Sequence, residues 1–161
     1  MAEEVPWLTI AKGLVGLKEI PGPKHSTVIQ SWLTKLRAWW QDDETPWCGT
    51  FVAYCLQEAR QPIIKNWFRA KEWADYGEGL NFSSLCPGAV LVFARSGGGH
   101  VGFYVGEDRN YYSVLGGNQA NAVNVMRIEK GRCIAARWPK GVPVTGGPVK
   151  LTAGKVSKNE A

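Results

Sequence analysis

The feature that most constrains this chain is a change of hydrophobic period half-way along it. Up to about residue 76 apolar side chains recur every three or four positions; from Ala89 onward they come in short runs divided by turn residues. Leu8, Ala11, Leu14, Val15 and Leu17 follow Pro6 at helical spacing and predict a first helix reaching Lys18, stopped by Pro21-Gly22-Pro23. Ser26 or Thr27 can cap a second helix with Val28, Ile29, Trp32, Leu33 and Leu36 on its apolar side. Thr45 at an N-cap and Pro46 in the first turn predict a third helix from about Trp47 to Ala59, with Cys48, Val52, Cys55 and Ala59 on one face. A short fourth helix is expected over Trp67 to Tyr76. Strands are expected at Ala89–Ala94, Val101–Gly106, Tyr111–Leu115, Val123–Ile128 and Cys133–Trp138. Connections this short force antiparallel pairing, so the chain reads as an α+β domain, N-terminal helices packed on a C-terminal antiparallel β-sheet.

The 161 residues suffice for one core, and 45% hydrophobic with 20% charged residues is the balance of a globular chain. We expect one domain over residues 1–143. From Gly141 the sequence turns rich in Pro, Gly, Lys, Thr and Val without periodicity, so residues 144–161 are expected to be a disordered tail. No apolar run approaches the roughly 20 residues that cross a bilayer, so stable membrane insertion is not expected. Met1 to Pro6 carries Glu3 and Glu4 and lacks the basic start and apolar stretch of a secretory signal. Synthesis in a cytoplasm is therefore expected, with any outward passage needing help. The net charge of +5 favours polyanionic partners, an anionic bacterial envelope among them. The basic residues are scattered and form no nucleic-acid motif, so nucleic acid is not the expected partner.

Four cysteines, Cys48, Cys55, Cys86 and Cys133, include no C-x-x-C pair, which argues against zinc. The ordinary role of each is a small buried hydrophobe. Cys48 differs by position: at the start of the third helix it meets unsatisfied N–H groups and the positive end of the dipole, which favour thiolate. Those same N–H groups can hold a developing oxyanion. Of two histidines, His100 follows Gly97-Gly98-Gly99 and opens a strand, where its imidazole can face a helix N-terminus across a cleft. A thiol hydrolase needs such a Cys–His pair drawn from distant parts of the chain. An amide in Gly116-Gly117-Asn118-Gln119 can then orient the ring, with Asn118 the first choice and Gln119 the alternative; a plain hairpin turn at Gly-Gly-Asn is an equally good reading.

His25, in a loop after Pro-Gly-Pro-Lys, is the rival base. Asp42-Asp43-Glu44 lacks the alternating ligands of a calcium loop, and neither metal nor cofactor is expected. Asp43, five residues before Cys48, can still line the substrate site, as can Gln119. Most of the eight tryptophans are expected in or near the core, with Trp47, next to Cys48, the best placed to stack on a sugar ring.

Several stretches, in this order, resemble one family. Thr45-Pro46-Trp47-Cys48-Gly49-Thr50-Phe51-Val52 is similar to the nucleophile motif of the CHAP family, the cysteine, histidine-dependent amidohydrolases/peptidases. Gly99-His100-Val101-Gly102-Phe103-Tyr104 resembles its histidine motif. Leu115-Gly116-Gly117-Asn118-Gln119 with Val123, the closing Arg137-Trp138-Pro139 and the early Lys18-Glu19-Ile20-Pro21-Gly22 extend the resemblance over about residues 7–139. It departs from the pattern at Gly49, where Ser or Ala is common, and at Ala89, where Asp often stands. The resemblance implies a papain-like fold, hydrolysis of peptidoglycan amide bonds without a cofactor, and Cys48, His100 and Asn118 as nucleophile, base and orienting residue. It implies a monomeric bacteriophage endolysin, made in the host cytoplasm and acting in the periplasm or cell wall after release. A secreted antibacterial toxin and a non-catalytic wall-binding module are the alternatives. The sequence leaves open whether the sugar-to-alanine amide or a bond within the stem peptide is cut.

Overall fold

The computed structural model describes residues 4–18, 27–38, 46–152 and 155–157. Helices α1 (Pro6–Gly13), α2 (Thr27–Lys35) and α3 (Cys48–Glu58) come first, then a 3₁₀ helix at Ala70–Asp75. Strands β1 (Glu78–Gly79), β2 (Val90–Arg95), β3 (Gly98–Glu107), β4 (Tyr111–Gln119), β5 (Ala122–Glu129), β6 (Cys133–Trp138) and β7 (Lys155–Val156) form one sheet in the order β1-β6-β2-β3-β4-β5-β7. Every pairing is antiparallel except β5 with β7, so the sheet is mixed only at that edge. This is the α+β architecture expected of a papain-like domain.

Helix α3 is the centre of the molecule. Cys48 to Ala53, Cys55 and Leu56 are all buried, because the helix lies between the sheet and the two earlier helices. A helix apolar on all sides must be enclosed, and the single face read from the sequence understates how enclosed this one is. Phe51 meets Phe103 of β3 edge-on at 6.1 Å and Trp32 of α2 at 5.9 Å. Contacts of this type add about 0.5–1.5 kcal/mol beyond the area they bury.

Helix α1 ends at Gly13, before the expected Lys18. The chain turns through Gly16, at φ 102°, and Lys18 instead bridges to Ala122 of the sheet. Trp7, Trp32, Trp47, Trp67, Trp73 and Trp138 are buried. Trp7 donates its indole N–H to the Gly88 carbonyl, Trp73 to Trp67 and Trp138 to Val142, at 2.8–2.9 Å. These bonds tie loops to the core, since a buried indole N–H needs an acceptor.

The expected disordered tail is corrected over part of its length. Glu107 N–H donates to Val149 O at 2.7 Å and Leu151 N–H to Glu107 O at 2.8 Å, while β7 pairs with Met126 and Arg127 of β5. Backbone pairing needs no side-chain periodicity, which is why the composition hid it. Leu151 also lies against Gly106, where an added Cβ would stand 2.6 Å from its own.

Candidate active site

Cys48 is the first residue of α3, and His100 lies near the start of β3. The fold sets the imidazole beside the thiol, close enough to act on its ionisation. Gly49 makes room for the loop before the 3₁₀ helix. A Cβ on Gly49 would fall 2.3 Å from the Trp67 carbonyl oxygen, so the Ser or Ala common after the nucleophile would not fit here.

The other side of the imidazole is held by Gln119, whose Oε1 lies 2.9 Å from His100 Nε2. The Gln119 amide nitrogen faces oxygens only: Asn124 O at 2.8 Å, Asn124 Oδ1 at 3.0 Å and Val114 O at 3.2 Å. Flipping the amide would set oxygen against oxygen, so Oε1 must face the ring, and Nε2 must carry the proton it donates. That leaves Nδ1 for the sulfur, as an acceptor from the thiol or, after proton transfer, as an imidazolium donor. Asn124 Nδ2 returns a bond to Gln119 O at 2.9 Å, closing the support. Gly116 leaves space for the pair: a Cβ there would lie 2.7 Å from Gln119 Oε1 and 3.2 Å from His100 Nε2.

The thiols respond to these surroundings. Burial alone would raise the Cys48 thiol. The His100 hydrogen bond and charge, with backbone bonds from Val101 and Gly49, outweigh it and hold the thiol below its ordinary value. Burial pushes Cys55 well up, with Glu58 adding to the effect, and Cys86 up. Cys133 is pushed up to about 12, mainly by burial. Only Cys48, among the four, is drawn toward thiolate.

The sulfur is not sealed in the core. Cys48 opens onto a cleft of about 270 Å³ whose walls include Phe68, Arg69, Lys71, Arg95 and Gly99. This is close to the roughly 300–1,000 Å³ of small-molecule sites. A thiol of lowered pKa at the wall of a cleft, beside an imidazole held in one orientation, can carry out acyl transfer to sulfur.

Residues 40–118 match the family model of the CHAP domain. The match supports a CHAP-family protein, and CHAP domains are generally hydrolases acting on peptidoglycan, which suggests amidase or peptidase activity. No curated protein matches the chain in sequence. Cys48 and His100 lie inside the CHAP match, and Gln119 is the first residue past it.

Three expectations need correction against this site. The ring's partner is Gln119, where Asn118 was the first choice. Continuing the Phe103–Leu115 register, plain alternation sets Asn118 across from His100. But β4 carries one extra residue between Gly116 and Gln119, and Asn118 takes φ 58° there. The bulge moves Gln119 into the place alternation gave to Asn118. The hairpin turn itself comes later, at Ala120 and Asn121, both with positive φ. Gln119, also expected to line the substrate groove, is fully buried behind the imidazole and cannot touch substrate. Trp47, expected as a stacking face, is 1% exposed and packed on Trp32 at 6.1 Å, so it belongs to the core. The exposed aromatic at the cleft is Phe68. The sequence reading passed over Phe68 because the loop before the 3₁₀ helix has no period to aim it. Asp43 and His25 lie outside the described residues. Among those described, no three His, Cys, Asp or Glu side chains gather as a metal site, and no helix is long and apolar enough to cross a membrane.

Proposed function

We propose that this chain hydrolyses an amide bond of peptidoglycan with Cys48 as nucleophile, His100 as acid and base, and Gln119 as the residue that orients the imidazole. The observation that carries the reading is the placement of Cys48 on a cleft and beside His100, whose ring is held by Gln119, itself held by Asn124.

The chemistry follows from the geometry. Cys48, as thiolate, attacks the amide carbonyl carbon, and the carbonyl oxygen takes the negative charge. The Cys48 N–H, in the first turn of α3 where no helical carbonyl can accept it, faces that charge with the favourable end of the helix dipole behind it. His100, protonated at Nδ1, gives that proton to the departing amine as the C–N bond breaks. The thioester is then hydrolysed by water that His100 deprotonates, and the thiolate is regenerated. Gln119 holds the ring in one tautomer throughout, so the nitrogen facing the reaction can take up and release the proton.

The bond cut is the sugar-to-alanine amide or one within the stem peptide. The setting we favour is a monomeric bacteriophage endolysin that acts in the periplasm or cell wall once released from the host cytoplasm. Digesting purified peptidoglycan with wild type, Cys48→Ala, His100→Ala and His25→Ala, with fragments identified by mass spectrometry, tests the reading. New amine and carboxyl ends from wild type and His25→Ala only are expected. New reducing sugar ends, full activity in Cys48→Ala, or loss in His25→Ala with His100→Ala active would overturn it.

A further inference from the structure

The cleft at Cys48 carries a charge that amide hydrolysis does not require. Arg69, Lys71 and Arg95 all line it, and no Asp or Glu among the described residues does. Lys71 and Arg69 form no ion pair with a described carboxylate, whereas Lys12, Lys35, Arg127 and Lys130 elsewhere each meet one.

Each cation is positioned by the fold. Arg95 donates from Nε to Gly99 O at 3.0 Å and from Nη1 to Ser96 O at 3.5 Å, which pins its guanidinium at the β2–β3 turn. The Lys71 stem crosses Gly99 so closely that a Cβ there would stand 2.6 Å from Lys71 Cγ. Arg69 lies over the Phe68 ring, its guanidinium carbon 5.5 Å from the centroid. Phe68 thus stiffens the cation and adds an apolar wall. Arg69 and Lys71, like charges on one small cleft, repel each other, and an anion placed between them relieves that repulsion.

We propose that Arg69, Lys71 and Arg95 form a subsite for a free carboxylate of the peptide substrate, close to the amide bond that Cys48 attacks. The inference rests on reading Cys48 as the nucleophile of an amidase. Guanidinium groups pair with carboxylates in a planar two-bond fork, and an amidated carboxyl can neither carry the charge nor accept both bonds. The subsite therefore sorts stem peptides by whether their carboxyl groups are free or amidated, and it operates while Cys48 and His100 perform the chemistry.

The test uses one synthetic peptidoglycan stem pentapeptide in two forms, with all carboxyl groups free and with all amidated. Binding of each to full-length Cys48→Ala protein is measured by calorimetry. The free form is expected to bind about tenfold more tightly at low salt, with the ratio shrinking as salt rises. Adding Arg69→Gln and Lys71→Met, with folding checked by circular dichroism, is expected to bring the ratio close to one. Equal affinities, undetectable binding of both forms, or a ratio untouched by the double substitution would overturn the subsite. The two readings fail separately. If peptidoglycan is cleaved but the peptides bind equally, the subsite falls and the amidase stands. If free peptide binds preferentially but Cys48→Ala still cleaves peptidoglycan, the amidase mechanism falls and the anion site stands.

Discussion

Helix α3 holds two cysteines seven residues apart, and its two regions treat the same side chain in opposite ways. At the first turn Cys48 meets an imidazole, two backbone donors and an open cleft, and its thiol is held below the ordinary value. Two turns on, Cys55 is buried with Glu58 as its charged neighbour, and its thiol is pushed well up. Both sulfurs are largely shielded from water, so burial does not separate them. The difference lies in what faces each sulfur. A buried thiol becomes a nucleophile only where the fold supplies groups that stabilise its anion, and those come from β3 and from the first turn of α3 itself.

The strongest way to break this comparison is to delete each sulfur in turn. Cys48→Ala is expected to lower turnover of peptidoglycan by at least about 10³-fold with no loss of folding, because the covalent step disappears. Cys55→Ala is expected to leave turnover intact and to cost on the order of 1 kcal/mol of stability through the small void it leaves. Equal activity losses would show that the two regions are not chemically distinct.

Removing the support behind the base comes next. Gln119→Ala is expected to reduce kcat by about 10²–10³-fold, through loss of ring orientation. Its pH profile carries the diagnosis. Activity needs the thiolate, so it falls as pH drops through the Cys48 pKa, and in wild type that limb lies below the ordinary thiol value of 9.0. Without Gln119 the imidazolium loses its acceptor, and the limb moves up. A drop in kcat with an unmoved limb would reduce Gln119 to a packing role.

The gentlest test compares reactivity. At pH 7 iodoacetamide is expected to label Cys48 ahead of Cys55, Cys86 and Cys133, read by peptide mass spectrometry. In His100→Ala the Cys48 rate should fall by about tenfold and approach that of the others. Uniform labelling of all four would erase the contrast.

Much of this was legible in the sequence, for reasons that also explain what was not. Helices before strands, a third helix starting beside Cys48 and the five main strands follow from period and turn residues, and those placed Cys48 and His100 on elements that can converge. Period fails wherever a strand carries an extra residue. The bulge before Gln119 shifts its side chain to where alternation puts Asn118, and nothing in Gly-Gly-Asn-Gln states which residue is extra. Asn124 went unnoticed because its part is to hold Gln119 from the adjoining strand, a contact fixed by the Ala120–Asn121 turn. Arg69, Lys71 and Arg95 looked scattered because two precede the sheet and one lies within it, and only folding gathers them at one cleft.

The pairing of β7 with β5 has a consequence of its own. An unpaired outer strand offers a row of bare amides and carbonyls to any chain of similar shape, the usual opening for self-association. Here Lys155 and Val156 of the same chain pair with Met126 and Arg127, with the Ser157 N–H extending the contact to Arg127 O. The segment that composition marks as a disordered tail therefore acts as a selvage, finishing the border of the sheet so that neighbouring molecules find less to knit onto.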